Sequence, residues 1–300
     1  MTKKYHILLL LTFILVVSSC SKDADVSDLL PADTEVVNGF RVEWRAYMTE
    51  DQRQVIKEIL NDMVLVEGGT FLMGTSKEYD GDARENEFPA HWVQLSDYYI
   101  GTHELTYDQI TKLLPSTRSS LLREFNGKYL NYYWEDWKYV LEFISECTGV
   151  IFEFPSEAQW EYAARGGKMT KGFLYPGSNK WEEIYYDDLN DPEISAPNEL
   201  GIYDMADKRG EWCLDAYAKY TDGMLAVDPC TSVGEGHVVR GGCHVSVGIS
   251  KYWESTSPNY VYDYSHVYDD MRMCRSTARA FEKGKSWDIG CRPVINIVKL

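Results

Sequence analysis

Cysteine is the residue through which this sequence could do chemistry most directly, because a thiolate is both a nucleophile and a soft metal ligand. Beyond Cys20 there are six: Cys147, Cys213, Cys230, Cys243, Cys274 and Cys291. No two stand at C-x-x-C spacing, which argues against a zinc site and against a thioredoxin-like motif. An even set in an oxidising compartment favours disulfides, and the spacing alone leaves the pairing open. The histidines are scattered: His91, His103, His237, His244 and His266 fall in no His-Glu-x-x-His run. No Gly-rich phosphate loop and no Gly-x-Ser-x-Gly elbow occurs. Asp187, Asp188, Asn190 and Asp191 supply the oxygen ligands that calcium needs, but without EF-hand spacing. A solvated acidic loop is the simpler reading of them, with calcium the alternative.

The most distinctive surface chemistry is aromatic. The 300 residues include 22 Tyr and 9 Trp, and a dense group falls between Tyr252 and Asp270. Tyr252, Trp253, Tyr260, Tyr262, Asp263 and Tyr264 are candidate ligand-binding residues. Rigid amphipathic rings beside adaptable hydrogen bonders suit capture of a protein or a glycan. The alternative is a segment that only covers the core. The formal net charge of −17 repels nucleic acid and anionic lipid head groups, so neither is an expected partner.

The N-terminus reads as an address. Lys3 and Lys4 precede an apolar run from Ile7 to Val17 that is too short to span a bilayer. Val17-Ser18-Ser19-Cys20 resembles a bacterial lipobox, which implies a signal peptide over 1–19 and a lipid anchor on Cys20. The expected location is the cell envelope, as an outer-membrane lipoprotein on the periplasmic or surface face. Asp23, Asp25 and Asp28 follow within a polar stretch, and residues 20–46 are expected to be a flexible tether.

The elements that must position any site are then read in chain order. Residues 47–62 form an N-terminal helix: Thr49 and Gln52 make a capping box, and Val55, Ile56, Ile59, Leu60 and Met63 line one face. Residues 63–300 form one α+β domain. Gly68-Gly69 between two short apolar runs predicts a hairpin over 63–74. A strand is expected over 93–100, a helix from Thr106 to about Leu114, and another over Trp134–Cys147 closed by Gly149. A brief strand, Ile151–Phe154, feeds the best-formed local element. There Ser156 and Gln159 make a second capping box, Trp160, Ala163 and Ala164 form a narrow apolar stripe, and Gly166 closes the helix. Beyond it, short strands at 238–240 and 294–298 stand among long loops.

The order of these blocks resembles the formylglycine-generating-enzyme, or sulfatase-modifying-factor, family. The matching runs are Val64-x-Val66-x-Gly68-Gly69-x-Phe71-x-Met73-Gly74, Glu87-x-Pro89-x-His91-x-Val93-x-Leu95, Trp134-x-Asp136 and Phe154-Pro155-Ser156-Glu157. Gly201-Ile-Tyr-Asp-Met205, Glu211-Trp212-Cys213, Val239-Arg240-Gly241-Gly242, Arg275-Ser276 with Arg279, and Gly290-x-Arg292-Pro293-Val294 follow. The resemblance implies a variant of the C-type lectin fold with little regular secondary structure and long loops. It also implies an oxidase that converts a substrate cysteine to formylglycine on two copper(I)-binding cysteines. Counted from Gly242, those positions hold Ser246 and Lys251, and neither side chain binds copper(I). Cys243 is the one thiol nearby, a catalytic candidate only in a shifted register, and a disulfide or buried thiol is the better reading. Lys208 stands where the family places an asparagine near a structural calcium. No His-x-x-x-Glu-x-His run of the iron-dependent relatives occurs. The sequence therefore leans away from an enzyme, with no cofactor expected except possible calcium. It favours a non-catalytic envelope lipoprotein that binds protein or glycan, the alternative being an oxidase of a sulfatase cysteine with an atypical site.

Overall fold

An Asn-Gly dipeptide makes the first turn of the chain. In the computed structural model, which describes residues 33–114, 124–125, 129–130, 133–180, 183–184, 196–206, 209–241, 272–284 and 289–297, Asn38 and Gly39 both take positive φ. This is the turn that antiparallel pairing prefers, and it joins β1 (Thr34–Val37) to β2 (Phe40–Glu43). The flexible tether expected over 20–46 is thus a hairpin in its second half. Val37, Val42 and Trp44 are buried in the main core, and that burial is what orders the segment.

The helix α1 (Glu50–Asn61) begins at Thr49, whose side chain accepts from the Gln52 N–H while Gln52 reciprocates. Four strands follow: β3 (Met63–Val66), β4 (Thr70–Met73), β5 (His91–Gln94) and β6 (Tyr98–Gly101). The hairpin expected over 63–74 does not form, because β3 pairs with β6 and β4 with β5. Gly68 explains the crossing. A Cβ there would lie 2.2 Å from the Leu95 carbonyl oxygen, and its N–H donates to Asp97 at 2.8 Å, so the glycines carry the chain across another backbone. The single strand expected over 93–100 is likewise split between two sheets.

Next come α2 (Tyr107–Leu113), capped by Thr106, a small pair of strands β7 (Glu124–Phe125) and β8 (Tyr129–Leu130), and α3 (Trp134–Thr148), stopped by Gly149 at φ 72°. The strand expected at 151–154 reduces to one bridge, Glu153 to Val294. The helix α4 (Glu157–Ala164) follows it. Beyond are β9 (Gly210–Ala216), β10 (Ala226–Val227), β11 (His237–Arg240), β12 (Arg279–Glu282), β13 (Ile289–Gly290) and β14 (Val294–Asn296). Among the described residues, three sheets have more than two strands, in the orders β14-β6-β3, β10-β5-β4 and β12-β11-β9-β13, beside the two-stranded β1-β2 and β7-β8. One apolar cluster joins α1, α2, α3 and the first hairpin, and a second surrounds α4. The class is α+β with few helices and long loops, as the sequence implied. No helix among the described residues is long and apolar enough to cross a membrane.

Candidate functional site

Every residue of α4 is buried. The narrow apolar stripe expected for this helix is therefore wrong in one respect: the helix is enclosed on all sides, charged residues included. Burying a carboxylate is costly unless it is paired and hydrogen-bonded, and arginines from distant strands supply the partners. Arg279 clamps Glu157 through two bonds of 2.6 Å, while its guanidinium lies 3.8 Å from the Tyr220 ring centroid. Glu161 is held by Arg240 and by Arg165, the latter at 2.8 Å, and accepts the Gly74 N–H. Burial alone would raise the Glu161 pKa, but Arg165 and Arg240 outweigh it and hold the carboxyl below the usual range.

Two further clamps repeat the device. Arg275 binds Glu87 and Asp80, and Arg292 binds Glu211 through three contacts of 2.5 to 3.0 Å. Trp160 on α4 donates its indole N–H to the same Glu211 at 2.6 Å. Gly241, at φ 77°, has Trp160 so close that a Cβ would lie 2.6 Å from its ring. Thus α4 directly supports the end of β11, from which the Arg240-Gly-Gly segment departs.

The described free thiols are poor nucleophiles. Cys213 and Cys291 are fully buried, and burial pushes both thiols well up; Cys147 is raised for the same reason. Cys230 reaches the surface, yet burial of its thiol and the neighbouring Asp215 carboxylate push it up to about 12. Asp215 itself is raised to about 6, first by burial, although it accepts the Glu157 and Thr231 N–H groups at 2.7 Å each. Cys274 is disulfide-bonded.

A cavity of about 250 Å³ opens beside this group. Ser156 and Gln159 at the start of α4 line it, together with Asp97, Asp228 and Cys230. The sequence carries no sign of it, since its lining comes from segments far apart in the chain and none of them forms a motif.

The candidates named from sequence lie outside the described residues: Cys20, Asp187, Asp188, Asn190, Asp191, Cys243, Tyr252, Trp253, Tyr260, Tyr262, Asp263 and Tyr264, together with Lys208, Ser246 and Lys251. Of the histidines, His91 stacks edge-on with Tyr220, and His237 lies flat on Trp134 with ring centroids 3.9 Å apart. His103 pairs with Asp62 at 3.0 Å. Among the described residues, no three His, Cys, Asp or Glu side chains are grouped as a metal site.

A model of the sulfatase-modifying factor enzyme 1-like domain matches residues 49–297. The chain belongs to that family. Serine/threonine-protein kinase Pkn1 of Chlamydia trachomatis is 29% identical over 227 residues, which are 66% of this chain and 36% of the relative. The chain thus spans little more than a third of that relative's length. The formylglycine-generating enzyme of Thermomonospora curvata is 22% identical, over 65% of this chain and 87% of that enzyme. Among solved structures, Treponema denticola variable protein 1 superposes with a TM-score of 0.56 at 18% identity, over 89% of this chain and 99% of that one. It shows the fold, the lectin-like architecture that the family resemblance implied.

The family's metals can be tested against the donors present. Copper(I) selects paired thiolates. The four free thiols among the described residues sit on separate segments with their protons held by burial or by Asp215, and do not fit it. The resemblance sets Glu211 as the carboxylate directed toward calcium. Arg292 and Trp160 already engage both its oxygens, so Glu211 as held here does not fit calcium.

Proposed function

We propose that this chain is a non-catalytic cell-envelope lipoprotein whose sulfatase-modifying-factor-like domain binds protein or glycan. The observation that carries the reading is chemical: Ser246 and Lys251 stand where the family's enzymes hold their copper cysteines. A hydroxyl and an ammonium do not replace two soft thiolates. The buried arginine clamps that build the scaffold fall within the runs that resemble the family, whereas Ser246 and Lys251 depart from it. The aromatic segment that follows Arg240-Gly-Gly, with Tyr260, Tyr262 and Tyr264, supplies the binding chemistry. The lipobox-like ending at Cys20 supports a lipid anchor and a cell-envelope location, as an outer-membrane lipoprotein on the periplasmic or surface face. The net charge of −17 leaves nucleic acid out of its partners.

The test is copper(I) titration of the purified mature protein, alongside a glycan array and an envelope pull-down. The reading expects no stoichiometric copper binding, and a ligand signal that drops when Tyr260, Tyr262 and Tyr264 are changed together to Ala. Stoichiometric copper binding abolished by Cys243→Ser would sink it in favour of an oxidase with a relocated site.

A further inference from the structure

The parallel pairing of β10 with β5 sets Ala226 against Val93 and Val227 against Gln94, so both strands leave the sheet in the same direction. Their exits bring Leu95, Ser96 and Asp97 beside Asp228, Pro229 and Cys230 around the cavity of about 250 Å³. Opposite stand the start of α4 and the chain leaving β14.

The cavity is a built site with a consistent polarity. Ser156 and Gln159 on its wall are each 8% exposed and locked by their capping box. Gln159 also donates to the Asn296 side-chain oxygen at 2.7 Å, which fixes both amides. Leu95, Leu214 and Ile297 give apolar walls. Asp228 is held by the Ser96 N–H and hydroxyl at 2.7 and 2.8 Å, and no described lysine or arginine pairs with it. A second carboxylate, Asp97, also lines the cavity and accepts the Gly68 N–H at 2.8 Å. Apolar wall residues beside the fixed Asp228 carboxylate match an aliphatic stem that ends in a cation. The same carboxylates repel an acidic ligand, and the negative charge of the whole chain attracts a basic one.

We propose that this cavity receives a lysine or arginine side chain from a partner protein. The inference does not rest on the aromatic segment at 252–264 binding anything.

The probe is Nα-acetyl-lysine N-methylamide, titrated into the mature protein by backbone-amide NMR, with the norleucine analogue and a methyl glycoside as controls. The lysine compound is expected to shift the Ser96, Asp228 and Ile297 amides saturably. Its affinity is expected to fall at least about tenfold in Asp228→Asn, where the charge goes but a hydrogen-bond acceptor stays. Ile297→Trp, which fills the cavity and leaves the charges alone, is expected to abolish the shifts. Equal binding of the norleucine analogue, undiminished binding in both variants, or saturation by the methyl glycoside instead would each overturn the proposal.

Discussion

Glu157 and Arg279 lie 122 positions apart and meet as a bidentate pair with both bonds at 2.6 Å, each side chain almost wholly buried. Neither residue could be left alone in this interior. Removing one partner strands an uncompensated charge, whereas removing both removes the problem along with the bond. Arg279→Met is therefore expected to destabilise the protein by about 3–5 kcal/mol. The double variant Glu157→Gln with Arg279→Met is expected to recover a large part of that loss. Denaturant midpoints of the two variants check this, and an Arg279→Met protein as stable as the parent contradicts it.

A second prediction concerns pH. His103 bonds Asp62, the residue that ends α1, and stacks on Tyr203 with ring centroids 4.7 Å apart. The Asp62 hydrogen bond raises the His103 pKa; burial would raise that of Asp62, but bonds from His103 and Thr102 outweigh it and lower it. A raised imidazole stabilises the fold below its unfolded pKa and loses that effect as pH rises through the folded value. A lowered carboxyl stabilises above its unfolded pKa and loses that effect as pH falls through the folded value. The pair thus acts between the two, in mildly acidic solution. His103→Gln is expected to lower the denaturant midpoint near pH 5.5 and to leave it unchanged near pH 9. An equal loss at both would show that stacking, and not charge, is what His103 contributes.

The third prediction uses the thiols. Cys147, Cys213, Cys230 and Cys291 are free and Cys274 is bonded. Non-reducing peptide mapping is expected to recover Cys274 only in a disulfide-linked peptide. Alkylation of the native protein at pH 8 is expected to be slow at Cys230, because its thiol is raised to about 12, and slower still at the three buried thiols. Rapid labelling of Cys230 would show that Asp215 does not hold its proton.

What could be read from the sequence was what is local. The capping boxes at Thr49 and Ser156 involve residues three apart and form as the spacing implies, and Thr106 begins α2 as expected. Gly149 ends α3 for an equally local reason. The pairing of β3 with β6 was hidden because two apolar runs across a Gly-Gly look like a hairpin, and only the approach of Leu95 to Gly68 forbids it. The enclosure of α4 was hidden for the complementary reason. Nothing within α4 shows that Glu157 and Glu161 are enclosed, because Arg279 and Arg240 reach them from far along the chain. The cavity left no trace, since residues such as Leu95, Gln159, Asp228 and Ile297 have nothing in common except the place where they meet.

The arginine clamps also govern the order in which this molecule can be made. Their acidic halves, Glu87, Glu157 and Glu211, are synthesised well before their basic halves, Arg275, Arg279 and Arg292, at separations of 188, 122 and 81 residues. A nascent chain halted anywhere short of Arg292 holds carboxylates that have no interior to enter. Contacts of such long sequence separation slow folding and delay it until the chain is nearly complete. The last of the three, Glu211 with Arg292, therefore closes only once Arg292 has been made, 81 residues after its carboxylate.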